Sequence, residues 1–134
     1  MSSPKRSSLS GERGAAAVEF ALVVPLLLTL VLGVTNFGRF FNLQLDLSNA
    51  AQEAARYAVF APAVPAHPSA AQVADIAVAA SSAGLVASRV VVSGSCAIPG
   101  SSVTVTASKD LDMNLVFGSA IHETSGKAVM RCPG

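Results

Sequence analysis

Tryptophan is absent from this chain and Tyr57 is its single tyrosine. An aromatic platform for stacking nucleic-acid bases is therefore excluded. Charge is also scarce: Asp, Glu, Lys and Arg make up 13% of the residues, about half the usual share of a globular protein. The formal net charge of +1 excludes a strongly basic nucleic-acid binder. Two cysteines and two histidines, without ligand spacing between them, are too few for a four-ligand zinc site. What the chain does have is apolar residues, 51% of 134. That length suits one domain, or a short domain with an appendage. So much apolar surface with so little charge implies that part of it faces lipid rather than a core.

The charges are unevenly placed. Lys5, Arg6, Glu12 and Arg13 crowd the first residues, whereas Gly14 to Gly38 carries only Glu19. A helix over this segment rises about 37 Å, enough to cross a hydrocarbon core of about 30 Å. The basic residues before it place the N-terminus in the cytoplasm and the bulk of the chain outside. A cleaved secretory signal has a similar basic start and apolar stretch. Here the stretch ends in Thr35-Asn36-Phe37-Gly38-Arg39, without a small-x-small cleavage site, and runs on into a helical pattern. A retained signal-anchor fits better.

That pattern is a stripe of Phe40, Leu43, Leu47, Ala50, Ala54 and Ala58 at spacings of three and four, one face of a helix. Asp46, Glu53 and Arg56 lie off it. One long helix is expected from about Ala16 to about Phe60, apolar all round at first and amphipathic afterwards. Pro25 lies inside the membrane half, where a lost backbone donor and a kink are tolerated. Residues 61–68, APAVPAHP, form a Pro-rich linker that ends the helix. Ser69 can cap a second helix from Ala70 to about Ala83, closed by Gly84. Arg89 to Val92 is rich in β-branched residues, Pro99-Gly100 signals a turn, and Val103 to Thr106 alternates as a strand with one wet face. Residues 110–118, DLDMNLVFG, read as a loop or one helical turn, and Gly126 to Arg131 as a closing strand. The fold class is α+β, with a small outer domain at 69–134. Such a domain often needs a staple. Cys96 and Cys132 lie on the expected non-cytoplasmic side, where a disulfide is the natural reading and two free thiols the alternative.

Glu19 requires a reason, because an ionised carboxylate inside an apolar helix is costly unless paired or near the interface. A cut after Gly14 would leave Ala15 as a new N-terminus, whose ammonium is a partner for Glu19 of a neighbouring subunit. Alternatively, Glu19 sits at the membrane surface in the first turn, where the helix dipole favours it. Position alone leaves both readings open. The alanines at 15–17, 21, 50, 51, 54, 55 and 58 let helices approach closely, or simply raise helix propensity. Arg56 and Tyr57 are candidates for anchoring the outer domain on the helix, with a solvated Arg56 as the alternative. Arg39 marks the outer membrane boundary by snorkelling.

The run from Arg13 to Ala58 resembles the TadE-like family of pseudopilins, small components of the Tad (tight adherence, Flp-type) pilus machinery. The matching elements are Arg13-Gly14, Val18-Glu19-Phe20-Ala21-Leu22, Pro25, Gly33, Phe37-Gly38-Arg39, Asn49-Ala50-Ala51 and Ala54-Ala55-Arg56-Tyr57-Ala58. The resemblance implies a pilin-like fold with a cytoplasmic leader at 1–14 and a membrane-spanning, then amphipathic, helix at 15–60. It implies cleavage between Gly14 and Ala15 by a prepilin peptidase, and assembly through Glu19, Phe20 and Pro25. The partners implied are that peptidase, other Tad pilus subunits, inner-membrane assembly proteins and membrane lipid, with no nucleic acid and no small-molecule substrate. The protein would reside in the bacterial inner membrane with its C-terminal domain in the periplasm, or outside in the pilus after processing. Loss of the leader removes three basic and one acidic side chain, leaving the chain formally at −1.

No enzymatic activity, cofactor or metal is expected. Gly33 and Gly38 have P-loop spacing, but Arg39-Phe40 replaces the required Lys-Ser/Thr. His67 lies in the linker. His122 stands beside Glu123 without a nucleophile motif, and the cysteines are not in a C-x-x-C arrangement. The alternative to a pseudopilin is an unprocessed single-pass envelope protein whose outer domain binds a partner.

Overall fold

A computed structural model describes residues 10–61, 67–115 and 118–134, with side chains from residue 14 onward. Helix α1 spans Ser10–Phe60, 51 residues, or about 76 Å at 1.5 Å per residue. It starts earlier than the expected Ala16, so Arg13, Gly14 and Ala15 all have helical backbone. Once a helix is nucleated each added residue is cheap to fix, and no proline stands in the way before Pro25. Its end at Phe60 matches the sequence expectation, with the Ala61 N–H donating to the Tyr57 carbonyl at 2.9 Å. The middle of the Pro-rich linker, residues 62–66, lies outside the described residues.

The two halves of α1 live in different surroundings. Its most apolar stretch is 0% buried. Further along, Leu43, Leu47, Ala50, Ala54 and Ala58 are buried as the stripe predicts, and Ala51, Ala55 and Val59 widen that stripe by a second row. The extra width has a cause: α1 packs against both a second helix and a sheet.

Helix α2, Ala70–Ala80, starts at a capping box. Gln72 N–H donates to the Ser69 hydroxyl at 3.3 Å, and Ser69 N–H donates to Gln72 Oε1 at 2.9 Å, so two otherwise unpaired donors are satisfied together. Val73, Ala74 and Ala77 face α1 and the sheet. The helix stops at Ala80, short of the expected Ala83. Ser81 turns to extended backbone, and Ser81, Ser82 and Ala83 bond to Asp46 of α1 instead of continuing the helix. Gly84, expected as a helix-closing residue, sits in the following loop with φ +69°.

A short 3-10 turn at Ala87–Arg89 leads into three antiparallel strands in sequential order: β1 Val90–Ser93, β2 Ser102–Leu115 and β3 Gly118–Arg131. Residues 110–115 and 118 are therefore strand, not the loop or helical turn expected for 110–118. Asp110 and Asp112 lie on the exposed side, alternating with the half-buried Leu111 and Met113. This is the period-two pattern of a strand with one covered face. Pairing with β3 extends it from Asp110↔Glu123 to Leu115↔Gly118. Val103, Val105 and Ala107 of β2 and Ala128 of β3 form the sheet's contribution to the core.

Gly126 explains how the sheet reaches the helix. A Cβ at this position would overlap the Leu47–Ser48 peptide of α1. Its register partner, Ala107, is also small and fully buried. The two backbones approach because neither strand puts a large side chain between them. At the sheet's other end, Cys96 and Cys132 sit at disulfide distance, with Cα atoms 5.4 Å apart and a sequence separation of 36. The Cys132 N–H also donates to the Ser101 carbonyl at 2.8 Å.

Two outcomes are expected. Gly126→Ala forces α1 and β3 apart and lowers unfolding stability by about 3 kcal/mol, measured by denaturation of the detergent-solubilised protein, with α1 helicity retained by circular dichroism. Cys96→Ser opens the link across the sheet and lowers stability by about 3 kcal/mol; reducing agent then leaves the variant's midpoint unchanged while lowering that of the parent.

Candidate functional site

The residues singled out in the sequence for processing and assembly all lie on the uncovered half of α1. Gly14, Ala15, Glu19 and Phe20 are exposed on helical backbone, and Phe20 is 69% exposed. Ala15 and Glu19 are four residues apart, so they share a face about one turn apart. Pro25 stands inside the uninterrupted helix and cannot donate to the Ala21 carbonyl. Two hydroxyls that would otherwise be stranded in an apolar stretch are satisfied inside the helix: Thr29 donates to the Pro25 carbonyl at 2.8 Å and Thr35 to the Val31 carbonyl at 2.9 Å. This is how polar side chains are accommodated in hydrocarbon.

The first tie between this half and the head is Asn36, whose Nδ2 donates to the Asn114 carbonyl. From Gly14 to Asn36 the helix rises about 33 Å. The length left uncovered thus matches a hydrocarbon core of about 30 Å. With no titratable group besides Glu19 between Gly14 and Gly38, this surface can pack in lipid or against other helices and can do little other chemistry.

The second half of α1 joins the head through Asp46. Its carboxylate accepts from the Ser81 hydroxyl at 2.5 Å, the Ser82 hydroxyl at 2.7 Å, Ser82 N–H at 3.0 Å and Ala83 N–H at 3.2 Å. Partial burial pushes this carboxyl up; the hydrogen bonds from Ser81, Ser82 and Ala83 outweigh it and hold the group below its ordinary value of 3.8. Lys109 of β2 completes the junction by donating from Nζ to the Ala83 and Gly84 carbonyls. Beside it opens a cleft of about 410 Å³ lined by Arg39, Asp46, Lys109, Asp110 and Asp112, among others. It has charges of both signs, and the Ser82 hydroxyl that borders it is bonded to Asp46.

The remaining candidates separate. His122 and Glu123 point to opposite faces of β3, as neighbours on a strand do. The His122 ring lies 5.6 Å from that of Phe40, while Glu123 stands 3.8 Å from Arg89 on the outer side. Arg89 also pairs with Asp110 at 2.6 Å; being exposed, these pairs add little stability. Arg56 and Tyr57 lie beside the docking face rather than in it. Both are exposed, and with Phe60 and Ile76 they border a groove between α1 and α2. The buried contact with the head is made by Leu47, Ala51, Ala54 and Ala55. Sequence reasoning passed over Asp46 and Lys109. The available signal was an aspartate at the margin of an apolar stripe and a Ser-Ser-Ala-Gly loop after a helix.

Residues 14–56, 43 of the 134, match the TadE-like protein family. No curated protein and no solved structure matches the chain.

Asp46→Asn is expected to lower stability by about 2 kcal/mol at neutral pH, because it removes the charged acceptor of four hydrogen bonds. A carboxylate more acidic folded than unfolded stabilises at pH above its ordinary value of 3.8 and ceases to as pH falls through its depressed folded value. Thermal unfolding from about pH 7 to about pH 3 should show the gap between parent and variant closing at the acid end.

Proposed function

With residues 14–56 being TadE-like, we propose that the protein is a pseudopilin, a non-enzymatic component in the biogenesis of a Tad (Flp-type) adhesive pilus. The observation that carries this reading is one coincidence. The family match begins at Gly14, where the apolar run of the sequence follows the basic Arg13, and it continues through the half that docks the head. A helix so divided has one half to anchor in lipid or pack with other subunits and another to carry a domain.

In this reading a prepilin peptidase cuts between Gly14 and Ala15 on the cytoplasmic side. The scissile turn is helical, and glycine there weakens it by about 1 kcal/mol relative to alanine, which eases the opening that any peptidase needs. The new Ala15 ammonium then pairs with Glu19 of an adjacent subunit. The pair neutralises two charges that lipid disfavours and sets the axial register between packed helices. Phe20 and the helix geometry around Pro25 belong to the same packing surface. The basic leader keeps the N-terminus in the cytoplasm, so the head lies on the outer side, where Cys96 and Cys132 can oxidise. Its partners are the peptidase, the other Tad pilus subunits, the inner-membrane assembly proteins and lipid.

The test is the intact mass and N-terminal sequence of membrane-extracted protein made with and without the peptidase. A peptidase-dependent N-terminus at Ala15 is expected, and Glu19→Ala is expected to abolish assembly while insertion and head folding survive. An unchanged N-terminus in both samples would overturn the processing step and leave a fixed single-pass anchor.

A further inference from the structure

The contacts between α1 and the β2–β3 hairpin climb in step. Asn36 meets the Asn114 carbonyl at the closed end of the β2–β3 hairpin, Phe40 meets His122, Gln44 Nε2 donates to the Ser125 carbonyl at 2.9 Å, and Leu47 meets Gly126. The hairpin therefore points its closed end down the helix, toward the apolar segment. Asn36 is about 33 Å along the helix from Gly14, so the closed end stands level with the outer face of a bilayer that α1 crosses.

Exposed apolar side chains gather at that level. Leu115 of β2 is 55% exposed and Phe37 of α1 is 68% exposed. From Met113 to His122 the sequence holds no Asp, Glu, Lys or Arg. The nearest charges along the hairpin are Asp112 and Glu123, both farther up the strands. Asp112↔Ile121 lies three register pairs above Leu115↔Gly118, or about 10 Å at 3.4 Å per residue. An uncharged margin of that depth matches the depth to which interfacial elements enter the headgroup and acyl boundary.

We propose that the closed end of the β2–β3 hairpin is a second membrane contact, with Leu115 and Phe37 seated in the interfacial layer of the bilayer that α1 crosses. The proposal rests on reading α1 as a membrane span. The occupant is lipid because the exposed Leu115 and Phe37 lie beside the apolar half of α1, and the charges of the hairpin begin only at Asp112, with Glu123 two register pairs farther up. Asp112 and Glu123 limit the depth of entry, since their carboxylates must stay hydrated. Because the head is packed firmly on α1, the second contact fixes the tilt of helix and head together relative to the bilayer, which a single span leaves free. A subunit leaving the membrane has to release both contacts.

The absence of tryptophan makes the test direct, because one Trp substitution reports one position. Full-length Leu115→Trp, Leu26→Trp and Val129→Trp are each reconstituted in phosphatidylcholine vesicles brominated near the headgroup end or near the methyl end of the acyl chains. Leu26 lies in the apolar half of α1, and Val129 is exposed at the opposite end of β3. Leu115→Trp is expected to show blue-shifted emission and to be quenched most by the shallow bromines. Leu26→Trp should be quenched by the deep ones and Val129→Trp only by aqueous acrylamide. If Leu115→Trp behaves as Val129→Trp does while Leu26→Trp is quenched by deep bromines, the hairpin contact is overturned and the span stands. If Leu115→Trp is shielded from acrylamide yet indifferent to brominated lipid at every protein-to-lipid ratio, protein covers the tip and the proposal is overturned. Indifference of Leu26→Trp to brominated lipid overturns the span, and the proposal with it.

Discussion

The head of this protein is held by the close approach of two backbones. Gly126 of β3 lies against the Leu47–Ser48 peptide of α1, with Ala107 beside it in the sheet and Ala51, Ala54 and Ala55 buried on the helix. Small residues on both sides make dispersion contacts at short range without side-chain entropy to lose. Much else depends on that seat. It sets the direction of the hairpin, brings Lys109 to the carbonyls after α2, and places those residues next to Asp46.

One helix meets two demands that pull composition in opposite directions. From Ala15 to about Asn36 its circumference is apolar apart from Glu19 and the internally bonded Thr29 and Thr35, as suits a lipid environment, which satisfies no stray polar group. Beyond that point only a stripe can be apolar, because the other side meets water. The change of pattern therefore falls where the head begins, after an apolar length that suits a bilayer core. Asn36 stands at this change and uses its amide to hold Asn114 near the end of β2. The junction higher up is held by an ion rather than by packing. Asp46 gathers four donors from the end of α2 and the loop after it, and so determines where that helix stops.

Much of this was legible from residues alone. The long helix, its stripe of Leu43, Leu47, Ala50, Ala54 and Ala58, the capped start at Ser69 and the strand at Val103 to Thr106 all follow from local rules. The misses share a cause. Residues 110–115 alternate polar and apolar, but two aspartates and an asparagine masked the strand, since these residues are depleted in sheets unless pairing and a covered face overrule the preference. The end of α2 moved because Asp46, far away in sequence, offers Ser81 and Ser82 better bonds than another helical turn does. Arg56 and Tyr57 border a groove with Ile76 of α2, while the buried contact of α1 with the head is made by Leu43, Leu47 and the alanines.

The membrane-length helix, its unequal halves, the capping box and the α+β class were determined by the sequence by itself, because each is written as a period, a run or a spacing within a few turns of chain. Only the tertiary structure decided that Gly126 meets Leu47, that Asp46 ends a helix, and that the β2–β3 hairpin runs along α1 toward its apolar half. These depend on which distant segments come within contact distance, and no local period records that.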